Sequence, residues 1–221
     1  MSLTKYREKR NFEISPEPSG KSPAPTPTKR SLGYVIQKHR ATQLHYDFRL
    51  EFNGVLLSWA VPKGPSLDPS VKRLAMQVED HPLEYGDFEG VIPEGEYGGG
   101  TVMVWDNGEW IPESEDVEAA LRKGDLKFTL RGKKLKGSWV LVRTHGYGSK
   151  EGKSWLLIKH RDPFASQTDL ELDEPRSVVS RRLLADIARD AGGDVEKAST
   201  GDPPIKLETR AKAPKKKRGK S

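Results

Sequence analysis

Over residues 43–52 the chain alternates without a break: Leu44, Tyr46, Phe48, Leu50 and Phe52 fall on one side, His45, Asp47, Arg49 and Glu51 on the other. A period of two marks a strand, with one face set for a core and the other carrying polar chemistry. Asn53-Gly54 supplies a tight hairpin turn, and VLLSWAV returns as the partner strand. Further strands are predicted over 32–39, 73–79, 101–105, 126–131, 138–144 and 154–160, with Asp106-Asn107-Gly108 and Arg131-Gly132-Lys133-Lys134 as turns. Within this run only SEDVEAALRKG is helical in pattern, acidic at its start, basic at its end and closed by Gly124. A second helix is predicted over 176–191, where Val178, Val179, Leu183, Leu184 and Ile187 form an apolar stripe ending at Gly192-Gly193. Short strands at even spacing with one or two short helices predict a mainly β fold, a compact antiparallel β-barrel.

The flanks differ from this centre. Residues 15–30 are rich in Pro, Ser and Thr and read as an extended linker. The arm before them, TKYREKRNFE, would dock through Tyr6 and Phe12 if ordered, but its composition favours disorder. The expected layout is therefore an arm and linker over 1–30, a barrel domain over 31–165, and a helix-containing extension with a disordered basic tail over 166–221. Hydrophobic residues make up 34% of the chain, below the usual 45% or so even allowing for glycine, which fits one central core with polar ends.

Charge sharpens the picture only at the C-terminus. Lys and Arg number 38 against 32 Asp and Glu, and six of those basic groups lie in the last eleven residues, AKAPKKKRGKS. The body is balanced, so a basic groove has to come from local arrangement. PKKKRGK has the look of a nuclear localisation signal, but a solvated tail is the plainer reading. The absence of cysteine excludes disulfides, thiolate zinc sites, iron–sulfur clusters and cysteine nucleophiles. No apolar run nears the roughly 18 residues of a membrane span, and the start MSLTKYREKR has no signal-peptide core. A cytoplasmic, non-membrane protein is expected.

On the polar face, His45, Asp47 and Arg49 follow one another at about 6–7 Å along the backbone. The preceding segment YVIQKH places Gln37 and His39 on one face of its own strand. Pairing the two strands would bring His39 to His45 and Asp47: two imidazoles and a carboxylate, suited to Mn, Zn or Fe(II) and unlike an all-oxygen calcium cage. The bland alternative is a wet strand face without a ligand. Arg49 favours the functional reading, because a guanidinium beside such a site can take a phosphate oxygen in bidentate fashion. VEDHPLEYGDFEG adds His81 and Tyr85 in a Pro- and Gly-broken loop, while Lys63 and Arg73 read equally as strand-end charges or phosphate contacts. EGEYGGG lacks the ending of a P-loop and reads as a turning loop; His145 and His160 read as surface or packing residues. The five tryptophans sit among apolar neighbours, as a barrel core requires.

QKHRATQLHYDFRLEFNGVLLSWAVPKGPS followed by EDHPLEYGDFEGVIPEGEYGGGTVMVWDNGEW closely resembles the 3′-phosphoesterase module of bacterial DNA ligase D, a similarity that extends over about 1–165. That resemblance implies a compact β-barrel enzyme of end-joining repair. It would remove a terminal ribonucleoside from a primer strand and then hydrolyse the 3′-phosphate left behind to a 3′-hydroxyl, using Mn²⁺ or another divalent transition metal. Carried over, it implies His39, His45 and Asp47 as metal ligands and Arg49, His81 and Tyr85 at the scissile phosphate, with His81 as proton donor to the leaving oxygen. Gln37, Ser58, Lys63 and Arg73 match further active-site or nucleic-acid positions, and Arg10 and Glu17 match functional positions of the arm. Asn11 stands where the family has an aspartate.

The resemblance further implies DNA primer-template 3′ ends as substrate, ends with a terminal ribonucleotide included, and a nucleoid-associated monomer with Ku and a separate ligase or polymerase as partners. The length leaves no room for polymerase and ligase domains, so a standalone version is expected, its basic tail adding salt-sensitive affinity for DNA. Two other readings stay open from residues alone: a facial-triad Fe(II) oxygenase, and a non-catalytic barrel that binds DNA ends.

Overall fold

The computed structural model describes residues 2–21, 31–144 and 152–204. Nine strands form one antiparallel sheet: β1 (Leu32–Arg40), β2 (Leu44–Phe52), β3 (Val55–Val61), β4 (Lys72–Gln77), β5 (Gly90–Ile92), β6 (Gly100–Pro112), β7 (Asp125–Gly132), β8 (Lys136–Arg143) and β9 (Ser154–Lys159). Their order is β1-β2-β3-β4-β9-β8-β7-β6-β5, and β6 pairs back onto β1. Eight strands thereby close a barrel, with β5 added on the outside edge of β6. Closure leaves the eight strands no free edge to pair with another chain. The structure has the predicted mainly β class and barrel architecture.

The alternation along β2 does what its period demands. Tyr46, Phe48 and Leu50 are buried inside with all five tryptophans. Asn53 and Gly54 both have positive φ, as a two-residue turn between right-twisted strands requires. The helix α2 (Val117–Lys123) forms where predicted; Asp116 accepts from the Ala119 N–H at its start, and Gly124 ends it in the left-handed region.

Four local expectations are overturned. Asp106-Asn107-Gly108 is no turn but lies within β6, where the register against β1 shifts by one residue. That bulge buries Asp106, whose carboxylate accepts from the Tyr34 hydroxyl (2.6 Å) and from the Lys134 and Leu135 N–H groups (2.9 Å each). Gly108 is needed there for space, since a Cβ would stand 2.3 Å from the Arg131 carbonyl oxygen. The helix predicted over 176–191 is reduced to α4 (Leu184–Asp190). Upstream, the Ser177 hydroxyl accepts from the Val179 and Ser180 N–H groups and Arg181 takes a positive φ, a turn that competes with helix.

The arm is not disordered over its described part: α1 (Thr4–Glu8) docks, with Tyr6 fully buried. The loop over 83–87 makes a short 3-10 turn in place of irregular chain. Residues 22–30 of the linker, His145 and the basic tail lie outside the described residues.

The extension after the barrel is part of the same core. It carries α3 (Leu170–Asp173), α4 and α5 (Val195–Ser199). Leu184, Ile187, Ala188 and Ala198 are buried in the cluster that includes Tyr46, Trp105 and Trp155. Asp202 accepts from the Leu184 and Ala185 N–H groups (2.9 Å each), closing the α4–α5 pair on itself. No helix among the described residues is long and apolar enough to cross a membrane.

Candidate metal and phosphate site

β1 and β2 pair so that His39 lies opposite His45, and Gln37 opposite Asp47. Because neighbouring positions on one face repeat every second residue, this register gathers His39, His45 and Asp47 on the outer face of the barrel. Their donor atoms all lie within 4.8 Å of one another. The Asp47 Oδ2 stands 3.7 Å from His39 Nδ1 and 3.7 Å from His45 Nε2. Gln43 holds His45 by its backbone carbonyl, which accepts from Nδ1 at 3.0 Å; a carbonyl cannot donate, so Nδ1 carries a proton and Nε2 is the nitrogen turned toward Asp47. His39 Nε2 is buried and has no hydrogen-bond partner. An orphaned imidazole nitrogen beside a second imidazole and a carboxylate is the donor set of a divalent transition metal, and these residues fit one.

This face is not wet. Asp47 and Arg49 are buried, and His81 and Tyr85 of the 79–89 loop lie against the Arg49 guanidinium. Arg49 is enclosed on all sides: Nε donates to Gln37 Oε1 (2.8 Å), Nη1 to Ser58 Oγ (2.8 Å), and Nη2 meets Asp47 Oδ2 (3.2 Å). Nη1 also lies 3.0 Å from His81 Nδ1. Gln37 is fixed in turn by donating to the Tyr85 and Phe88 carbonyls (2.9 Å each).

His81 is held by a two-way backbone bridge to Leu56 on β3. Its Nδ1 approaches the Glu79 carbonyl at 2.9 Å and its Nε2 approaches Arg10 Nη2 at 3.1 Å. Arginine only donates and a carbonyl only accepts, so Glu79 and Arg10 together favour the proton on Nδ1 and the lone pair on Nε2, and the Arg49 Nη1 N–H beside Nδ1 is then not taken up by the imidazole. Burial, then the Arg49 and Arg10 charges, hold His81 well below the ordinary histidine range, and it is neutral. Burial alone would raise Asp47, but Arg49 and the two histidines outweigh it and keep its carboxyl well below the usual range. His39 is pushed down by burial. For His45 burial works downward too, yet the Asp47 hydrogen bond and charge prevail and the net shift is upward.

The arm supplies the remaining wall. Arg10 Nε pairs with Glu17 at 2.8 Å, its Nη1 reaches Glu79 at 3.3 Å, and its guanidinium stacks 3.9 Å from the Tyr6 ring centre. Tyr6 packs edge-on against His81 and Tyr85 at 5.0 and 5.9 Å. Asn11 points away: it is exposed, and its side chain accepts from the Glu13 N–H. Tyr85 is buried, and burial pushes its hydroxyl well above the ordinary range, so it remains protonated.

Thus ten of the twelve residues singled out in the sequence converge here. Lys63 and Arg73 do not. They line a separate groove of about 450 Å³ with Asp68, Asp169 and Glu171, beside the start of β2. Glu79, which links Lys9 and Arg10 to the 79–89 loop, was missed because a lone loop glutamate has no periodic signal.

Residues 37–143 match the model of the DNA ligase D 3′-phosphoesterase domain. The chain belongs to the DNA ligase D 3′-phosphoesterase domain family. It is 52% identical over 185 residues to the multifunctional non-homologous end joining protein LigD of Pseudomonas aeruginosa, which covers 82% of this chain and 22% of that relative. The corresponding protein of Mycobacterium tuberculosis is 44% identical over 149 residues, 65% of this chain and 18% of the relative. That of Mycolicibacterium smegmatis is 41% identical over 165 residues, 72% and 21% respectively. The chain thus spans about a fifth of the length of these LigD relatives. As a member of the 3′-phosphoesterase family, it carries its His/Asp cluster and its Arg49–His81–Arg10 wall inside or against the matched region.

Proposed function

We propose that this protein is a metal-dependent phosphoesterase that processes DNA 3′ ends in non-homologous end joining, removing a terminal ribonucleoside and then the 3′-phosphate. The observation that carries the reading is the side-by-side placement of a two-histidine, one-carboxylate cluster and a buried guanidinium, with Arg49 Nη2 3.2 Å from Asp47 Oδ2. His39, His45 and Asp47 would hold the cation, Mn²⁺ or another divalent transition metal. When bound, such an ion acts as a Lewis acid on a phosphoryl oxygen and orients the ester.

The residues themselves do the rest. Arg49, fixed by Gln37, Ser58 and Asp47, presents its remaining N–H groups to a non-bridging oxygen and compensates the charge that builds up in the transition state. His81 starts neutral with its lone pair committed to Arg10. A phosphate dianion at the site offers Arg10 a stronger acceptor and raises the histidine's affinity for a proton, which makes His81 a donor to the leaving oxygen only once substrate is present. Tyr85 donates from its protonated hydroxyl. Lys63 and Arg73, in their own groove, contact the nucleic-acid backbone further from the cleaved bond. Ku and a separate ligase or polymerase are the partners proposed for a cytoplasmic, nucleoid-associated protein over a layout of arm, barrel and extension.

A facial-triad oxygenase shares the donor set, but two guanidiniums flanking a neutral histidine suit an anionic ester and have no use in that chemistry. Incubation with a primer-template ending in one ribonucleotide, with Mn²⁺ and with chelator, tests the reading. Mass analysis of the primer should show loss of the terminal nucleoside, a 3′-phosphate intermediate and then a 3′-hydroxyl, all abolished by chelator. An uncut primer that still binds would favour a non-catalytic end-binding barrel.

A further inference from the structure

His45 is held by a carbonyl of the β1–β2 turn, and the turn is held by a residue outside the cluster. Arg40, the last residue of β1, donates from Nη1 to the Ala41 and Thr42 carbonyls at 3.0 and 2.9 Å. Those two residues and Gln43 are the whole connection between the strands, since Arg40 already pairs with Leu44. Gln43 is the residue whose carbonyl accepts from His45 Nδ1. In a three-residue connection whose two ends are fixed by strand pairing, holding two successive carbonyls leaves the few remaining φ and ψ angles little freedom to turn the third.

Arg40 is itself anchored from far along the chain. Its Nε donates to Thr200 Oγ1 at 2.7 Å, just past α5, and the Thr200 hydroxyl donates onward to the Lys197 carbonyl at 2.7 Å. Every link has one possible direction, from Arg40 into Thr200 and from Thr200 into the helix. Around it Gly201 lies against Leu44, and a Cβ there would be 3.2 Å from Leu44 Cδ1. The α4–α5 pair that carries the anchor is packed into the barrel core by Leu184, Ile187 and Ala198.

We infer that Arg40 is a positioning residue for the metal centre, and that Thr200 of the C-terminal extension extends its hold, together fixing His45 with Nδ1 protonated and Nε2 free to ligate. Arg40 lies inside the matched phosphoesterase region, residues 37–143, and Thr200 lies outside it, so the extension completes a site the matched region does not close by itself. The inference rests on the proposed metal site. Groups that orient a ligating histidine through its second nitrogen commonly change metal affinity about 10- to 100-fold when removed.

The test uses the full chain and the variants Arg40→Ala, Arg40→Lys, Thr200→Val and His45→Ala. Mn²⁺ binding is followed by the electron paramagnetic resonance of the free ion, and the His45 tautomer by long-range ¹H–¹⁵N correlation without metal. Arg40→Ala should weaken Mn²⁺ binding about tenfold and erase the single Nδ1–H pattern of His45. Arg40→Lys should recover part of both, and Thr200→Val should weaken binding a few-fold with the same melting profile as the parent. Should Arg40→Ala misfold, Thr200→Val alone decides. If His45→Ala abolishes Mn²⁺ binding while Arg40→Ala and Thr200→Val bind as the parent does, the positioning role is wrong and the metal site stands. If His45→Ala binds Mn²⁺ unchanged, the metal reading itself fails, and an unaltered His45 tautomer in Arg40→Ala would overturn the positioning role as well.

Discussion

Arg10 Nη2 stands 3.1 Å from His81 Nε2, so a residue of the N-terminal arm closes the wall of a site built on β1, β2 and β3. The arm is held there by Tyr6, which is buried and donates its hydroxyl to the Pro18 carbonyl at 2.6 Å. Tyr6→Ala removes an aromatic anchor of a kind that costs about 3–5 kcal/mol when truncated in a core. The arm should then become sensitive to limited proteolysis while the barrel keeps its far-ultraviolet spectrum. Protection equal to the parent would contradict docking through Tyr6.

Arg10→Ala should act on His81 directly. Removing one of the two guanidinium charges beside it lets the histidine titrate at higher pH, though burial and Arg49 still hold it below an exposed histidine. A ¹H–¹⁵N titration of His81 without metal should show this upward move. No movement would mean that Arg10 does not face the imidazole.

Arg49 is buried among Gln37, Ser58, Asp47 and His81. Arg49→Lys keeps the charge but cannot serve that fork of acceptors, and should cost about 100- to 1,000-fold in the rate of 3′-phosphate hydrolysis. Mn²⁺ affinity should change far less. Equal loss of metal binding and rate would instead assign Arg49 to shaping Asp47.

Metal uptake should depend on pH with a definite sign. The metal-free His45 titrates above the ordinary histidine value, so its Nε2 must shed a proton to ligate, and Mn²⁺ affinity should fall as pH drops through that range. The same raised value means that protonated His45 stabilises the metal-free fold at low pH, a contribution lost as pH rises through its folded value. Asp47 has the opposite sign: its depressed value stabilises the fold above the carboxylate range and is lost as pH falls through about 4 and below. Calorimetric Mn²⁺ titrations at pH 8, 7 and 6 should show the decline. A flat profile would remove His45 from the ligand set.

The barrel and the His39–His45–Asp47 cluster were legible because both are consequences of a two-residue period: once β1 pairs with β2, His39 must meet His45. The resemblance added Arg10 and Glu17, which no strand periodicity could bring to His81 because the arm is separated from β3 by the linker. Burial of the arm was misread for the same reason. Tyr6 and Phe12 are only two apolar residues in a charged segment, and their value depends on the aromatic surface of His81 and Tyr85 waiting on the other side. The extension was misjudged at Ser177 and Arg181, where local hydrogen bonding defeats a helical stripe, and Asp106 was read as a turn because a bulge and a turn share the same residues.

The most direct measurement is release of inorganic phosphate from a 3′-phosphate-terminated primer-template by the parent chain and by Asp47→Asn, each with Mn²⁺ and with chelator. Asparagine keeps the shape beside Arg49 and removes the charge that the cluster contributes. Release by the parent that needs Mn²⁺ and vanishes in Asp47→Asn, with the far-ultraviolet spectrum of the folded barrel retained, is the expected result; phosphate release that survives chelator, or that Asp47→Asn leaves intact, would contradict it.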